Sequence, residues 1–147
     1  MRLHGFYTLL AGLGTLLLFS CNAGPEPINY ATDACKFCRM VIIDKQHGAE
    51  IVTAKGRIYK FDAVECMLNF SADIKDTTGI EFLVNEYIVP GVLRDAPLAT
   101  YLISEGIPSP MGENLTAFTS RADAENARRK FGGQLYTWTE IQAHFKR

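Results

Sequence analysis

Cys35, Cys38 and Met40 place three sulfur side chains within six positions, in the run Cys35-Lys36-Phe37-Cys38-Arg39-Met40. A fourth sulfur, Met111, lies far along the chain in Pro108-Ser109-Pro110-Met111-Gly112. Thiolate and thioether form a soft donor set, which selects Cu(I) over hard cations. A Cys-x-x-Cys pair also serves as half of a zinc site or as a redox disulfide. Zinc asks for four ligands. The chain has no second such pair, so Cys66 and a histidine such as His47 would have to complete the set. A thioredoxin-like pair should open a helix after a strand, whereas here the strand-like Met40-Val41-Ile42-Ile43 follows. If that segment is extended, Cys38 and Met40 point to the same side, as two ligands of one ion would.

The remaining residues weigh less. Met111 sits in a Pro/Gly-rich loop, where a thioether is either a soft ligand or is tucked against an apolar patch. Cys66, near the start of a helix beside Met67, reads equally as a ligand and as a buried structural thiol. His47, in the turn Lys45-Gln46-His47-Gly48, reads as solvated. Asp62 reads as a helix cap rather than a base. Hydrolase and nucleotide-binding signatures such as G-x-S-x-G, H-E-x-x-H or a P-loop are absent. These residues carry no catalytic site, so the chain reads as a binding protein and not an enzyme.

The elements that must position these sulfurs begin after a targeting segment. Arg2, an apolar run from Phe6 to Phe19, and Leu18-Phe19-Ser20-Cys21 form a secretory signal over residues 1–20. The run is short of the ~20 residues of a membrane span. Its ending resembles a bacterial lipobox with Cys21 as the lipid acceptor. Cys21 would then anchor the mature chain to a bacterial membrane, facing the extracytoplasmic, periplasmic space. Residues 21–33, with Pro25 and Pro27, read as a tether. Residues 34–147 form one domain. A formal net charge of −1 gives no basis for binding nucleic acid. With Cys21 lipidated, Cys35, Cys38 and Cys66 make an odd set, which suggests one bridge plus a free thiol, or thiols held by a metal.

Within the domain, Val41–Ile43, Ala49–Thr53 and Arg57–Phe61 read as strands, with Lys55-Gly56 as a hairpin turn. Asp62 caps a helix through about Ala72, and a strand spans Ile80 to Val89. In the second half, Leu98 to Ser104 is helix or strand, and Leu115–Thr119 is a strand. Ser120 caps a helix from Arg121 to Phe131 that ends at Gly132-Gly133. Leu135–Thr137 is a short strand, and Thr139 opens a last helix. The expected fold is α+β, two related ββαβ halves (residues 34–90 and 91–147) with Phe61-Asp62 and Thr119-Ser120 at equivalent joints.

Taken together, the lipobox, Cys-x-x-Cys-x-Met, Phe61-Asp62, Cys66, and Pro110-Met111-Gly112 ahead of Ala117-Phe118 resemble the NosL family of copper-binding lipoproteins. These are accessory proteins of nitrous oxide reductase. The resemblance runs from Ala34 to Ile141, and includes an Ala-rich helix closing on Gly132-Gly133. It implies two related ββαβ halves, and Cu(I) bound outside the cytoplasm and passed to nitrous oxide reductase or its assembly machinery. Cys38 and Met40 match the family's Cys-Gly-Met, and Met111 matches its second methionine. Arg39 stands where the family has Gly. Cys35 would be an extra ligand or one half of a regulatory disulfide, and Cys66 stands as a further candidate ligand. A second copy of the chain is a further partner to consider. The rival reading is an envelope interaction or thiol-redox lipoprotein built on a Cys35–Cys38 disulfide.

Overall fold

The computed structural model describes residues 24–146. Cys21 and the expected signal segment lie outside the described residues. Both ββαβ halves are present. In the first, β1 (Ala49–Val52), β2 (Ile58–Phe61), α1 (Val64–Ser71) and β3 (Glu81–Asn85) follow in order. In the second, β5 (Thr100–Ile103), β6 (Leu115–Phe118), α2 (Arg121–Phe131) and β7 (Gln134–Tyr136) repeat it. Each half puts its first strand in the middle of an antiparallel sheet, β2-β1-β3 and β6-β5-β7. β4 (Leu93–Asp95) extends the first sheet beyond β3, and α3 (Trp138–Phe145) closes the chain.

Local chemistry explains most of these elements. The β1–β2 hairpin closes through Gly56 N–H to Thr53 O at 2.8 Å, and Gly56 takes the left-handed φ of +73° that such a turn requires. Ser120 caps α2 by accepting the Asp123 N–H at 3.3 Å. Ala124 and Ala127 give α2 a flat buried face. The cap of α3 lies two residues before the expected Thr139. Thr137 and Glu140 form a capping box there, which leaves Trp138 as the first helical residue.

Other boundaries move for physical reasons. Asp62 does not cap α1. The residue before the helix is Ala63, without a side-chain cap, and the Asp62 carboxylate instead accepts the Ile43 N–H. The strand expected to reach Val89 stops at Asn85. There the buried side-chain amide donates to Lys45 O and to the Tyr30 hydroxyl, and the chain turns back to form β4. The first half therefore reaches Asp95 and not residue 90. Leu98–Ser104 resolves into a 3-10 turn ending at Leu98 followed by strand β5. The tether is also shorter than residues 21–33: Glu26 N–H bonds Glu50, Ile28 is buried, and Asp33 pairs with Lys60 at 2.8 Å.

α1 lies between the halves, packed on β1 and β2 and also on β6 and α3. Residues 64–68 are buried all round it, as befits a helix with apolar neighbours on every side. Tyr87 N–H to Ala117 O, at 3.1 Å, stitches the halves together along the backbone. Among the described residues no helix is long and apolar enough to cross a membrane.

Ile141, fully buried on α3, tests the packing across the halves. Ile141→Ala is expected to cost ~2–5 kcal/mol in urea unfolding. Leu98→Ala, at a position 76% exposed, should change stability by no more than ~0.5 kcal/mol.

Candidate metal centre

The Cys35–Met40 segment is a closed turn rather than a strand. Cys35 N–H donates to Met40 O at 2.8 Å, and Arg39 N–H returns to Cys35 O at 3.1 Å. Of the expected strand 41–43, only an isolated bridge from Val41 to Ala34 forms. The extended alternation that would have aligned Cys38 with Met40 is therefore absent. Arg39 explains the change, because its φ is +70°, a left-handed conformation that Gly adopts freely and that costs an L-residue ~1–2 kcal/mol. The turn thus places a cation at a position whose backbone favours glycine. It is fastened to β2 by Lys36 N–H on Lys60 O at 2.8 Å, covering a sheet edge.

That fold-back aims backbone donors at one sulfur. Cys38 N–H points at Cys35 Sγ at 3.5 Å, and the N–H groups of Phe37 and Asp62 donate to it as well. Cys66, in the first turn of α1, adds its S–H. This thiol and the three N–H groups hold the Cys35 thiol well below its ordinary range despite burial, because each stabilises the thiolate. Cys66 goes the other way, since it gives its hydrogen to Cys35 and is itself buried beside that charge. Burial also raises Cys38. Of the three sulfurs, Cys35 is thus the one whose charged form is favoured, and a metal that recruits all three must displace the protons that Cys38 and Cys66 hold more firmly.

The three sulfurs lie within 4.8 Å of one another. Cys35 and Cys66 are buried and Cys38 is half-buried, so the cluster opens to the surface on the Cys38 side. Cys66 therefore faces the other two thiols and is not a remote core residue. Met40 is 47% exposed and Met111 37%. Met40 lines a cleft of about 470 Å³ with Val41, Ile43, Asp44, Asp62 and Pro110, the neighbour of Met111. The two thioether segments, 71 residues apart in sequence, thus border one cleft at the joint between the halves.

His47 differs from its expected solvated state. It is buried, with Nε2 3.3 Å from Thr116 Oγ1 and Nδ1 3.1 Å from Asp44 Oδ2, and it stands outside the thiol cluster. His144 also lies outside that cluster.

Two contributors were missed in the sequence. One is the Asp62 backbone N–H, whose role depends on how β2 ends against the Cys35 turn. The other is the role of Glu65, which the sequence shows as a carboxylate near the sulfur cluster: fully buried beside Cys66, it accepts a hydrogen bond from the Ser109 hydroxyl in the Met111 loop. A signal for Glu65 existed. Val64, Cys66, Met67, Leu68 and Phe70 surround it with apolar residues, so its carboxyl had no solvent to face.

The NosL family pattern matches residues 28–145. The chain belongs to the NosL family. Its fold is similar to that of the copper chaperone NosL from Shewanella denitrificans, whose crystal structure matches with a TM-score of 0.70. The identity is 22%, and the match covers 81% of this chain and 96% of that one. A comparison with curated proteins finds none that matches. The thiol cluster gives this member of the family a site that could hold a metal.

Arg39→Gly is expected to raise unfolding stability by ~0.5–1 kcal/mol, the relief of left-handed strain less the extra flexibility of glycine in the unfolded chain. Urea unfolding of the metal-free, reduced protein measures it. A loss of stability would mean that side-chain contacts of Arg39 outweigh the strain.

Proposed function

We propose that this protein is a lipid-anchored, extracytoplasmic Cu(I) chaperone that delivers copper for maturation of nitrous oxide reductase. The observation that carries the reading is the graded sulfur set: two buried thiols, one half-buried thiol, and two exposed thioethers. Soft sulfur ligands suit Cu(I), and the buried thiols shield the ion from water. In this reading Cys38, Met40 and Met111 would form the accessible side of the site, with the more deeply buried Cys35 and Cys66 behind them. Thioethers are neutral and hold copper less tightly than thiolates. They also form no disulfides, which suits the oxidising space outside the cytoplasm. An incoming ligand from the recipient can enter at the exposed thioethers before the thiols let go. Nitrous oxide reductase or its assembly machinery is the proposed recipient, on the ground of family membership. Cys21, through its lipid, would hold the protein at the membrane where that exchange takes place.

Competition for Cu(I) against a chromophoric chelator under anaerobic conditions tests the site. Met40→Ala and Met111→Ala should each weaken binding by about tenfold, or ~1.4 kcal/mol, with unfolding midpoints unchanged because both side chains are exposed. Cys35→Ser or Cys66→Ser should weaken it further. Parent-like affinity in both methionine variants would remove the thioethers from the site. A protein that takes up no copper and instead loses two hydrogens to a stable Cys35–Cys38 bridge would support the disulfide reading.

A further inference from the structure

The loop that carries Met111 is held from one atom. Ser109 donates its hydroxyl hydrogen to Glu65 Oε1, and Leu115 N–H approaches the same oxygen at 3.4 Å. Ser109 Oγ in turn accepts Asn114 N–H at 2.9 Å. Both ends of the segment 109–115 are thus tied, directly or through Ser109, to one carboxyl. Between them, Gly112 N–H closes a turn on Ser109 O at 3.1 Å, with Met111 at its exposed crest. Glu65 is fully buried, and its second oxygen has no hydrogen-bond partner. A carboxyl so placed is expensive, and an apolar residue would fill the same space without that cost. What the carboxyl supplies, and an apolar side chain does not, is an acceptor for the loop.

Glu65 and Cys66 are successive residues on α1. One rigid helix therefore carries a thiol of the cluster and the clamp on the thioether loop. We propose that Glu65 is a positioning residue: by accepting the Ser109 hydroxyl, it fixes where the Met111 thioether stands relative to the thiols. The proposal rests on Met111 being a copper ligand. Mobility of the loop would spread the thioether over many positions, and the cost of ordering it would then be charged to each copper-binding event.

The test separates the clamp from the ligand. In the metal-free, reduced protein, the 13C-methyl NMR signal of Met111 should be well ordered in the parent and in Glu65→Gln, whose amide oxygen still accepts. In Ser109→Ala it should move toward the free-methionine position with a lower order parameter. For Cu(I), Ser109→Ala should weaken binding, and Ser109→Ala with Met111→Ala should bind no more weakly than Met111→Ala alone, because one interaction is lost either way. If Met111→Ala weakens binding while Ser109→Ala leaves both the methyl signal and the affinity at parent values, the clamp is refuted and the ligand assignment stands. Additive losses in the double variant would show that Ser109 acts on the fold at large, which also overturns the proposal. If Met111→Ala binds copper like the parent, the ligand assignment fails, and the functional part of the proposal fails with it, whatever the methyl signal shows.

Discussion

The sulfur of Cys35 organises the site. The charged form of a buried thiol is costly unless hydrogen bonds replace the water it has lost. Here backbone N–H groups from Phe37, Cys38 and Asp62 and the thiol of Cys66 converge on it. These four donors come from three parts of the local fold. Phe37 and Cys38 require the turn, Asp62 requires β2 to end against that turn, and Cys66 requires α1 to start there. The left-handed Arg39 is the backbone condition for all of it, since the turn back toward Met40 passes through that residue. The site is thus paid for by one strained residue and stabilised by the surrounding sheet edge.

The same arrangement accounts for the gradient of exposure. α1 is buried because both halves pack on it, so Cys66 and Glu65 are interior groups. The Cys35–Met40 turn lies at the sheet edge, so Cys38 is half-covered and Met40 reaches solvent. The Met111 loop belongs to the second half and arrives at the cleft only because the two halves are docked. A chaperone needs both retention and release. On the proposed reading, interior thiols would serve the first, and thioethers on surface turns the second.

Much of the fold was legible in the residues. Gly56, Ser120 and Gly132-Gly133 are local signals whose meaning depends little on context, and the ββαβ repeat followed from them. Asp62 looked like Ser120 in position, yet it does not cap its helix, because its carboxylate is drawn to Ile43 N–H. Val41–Ile43 has strand-forming residues, but the chain is held in a turn immediately before it and finds only one bridging partner. His47 sat in a polar turn, and tertiary packing against Thr116 buried it. For Asp62 and His47 a long-range contact overrode a local preference, and for Val41–Ile43 the adjacent turn did. Cys66 and Glu65 show the same limit from the other side. Their types were visible, but the partner of each, Cys35 for one and Ser109 for the other, is set by how elements distant in sequence pack.

The central claim is that sulfur from both halves of the fold holds Cu(I). X-ray absorption at the copper edge of the anaerobically loaded, full-length mature protein tests it most directly. The account predicts a Cu(I) edge with a first shell of sulfur alone, and a change in that shell when Met111 is replaced by Ala. A shell dominated by nitrogen or oxygen, or one identical in the parent and Met111→Ala, would contradict it.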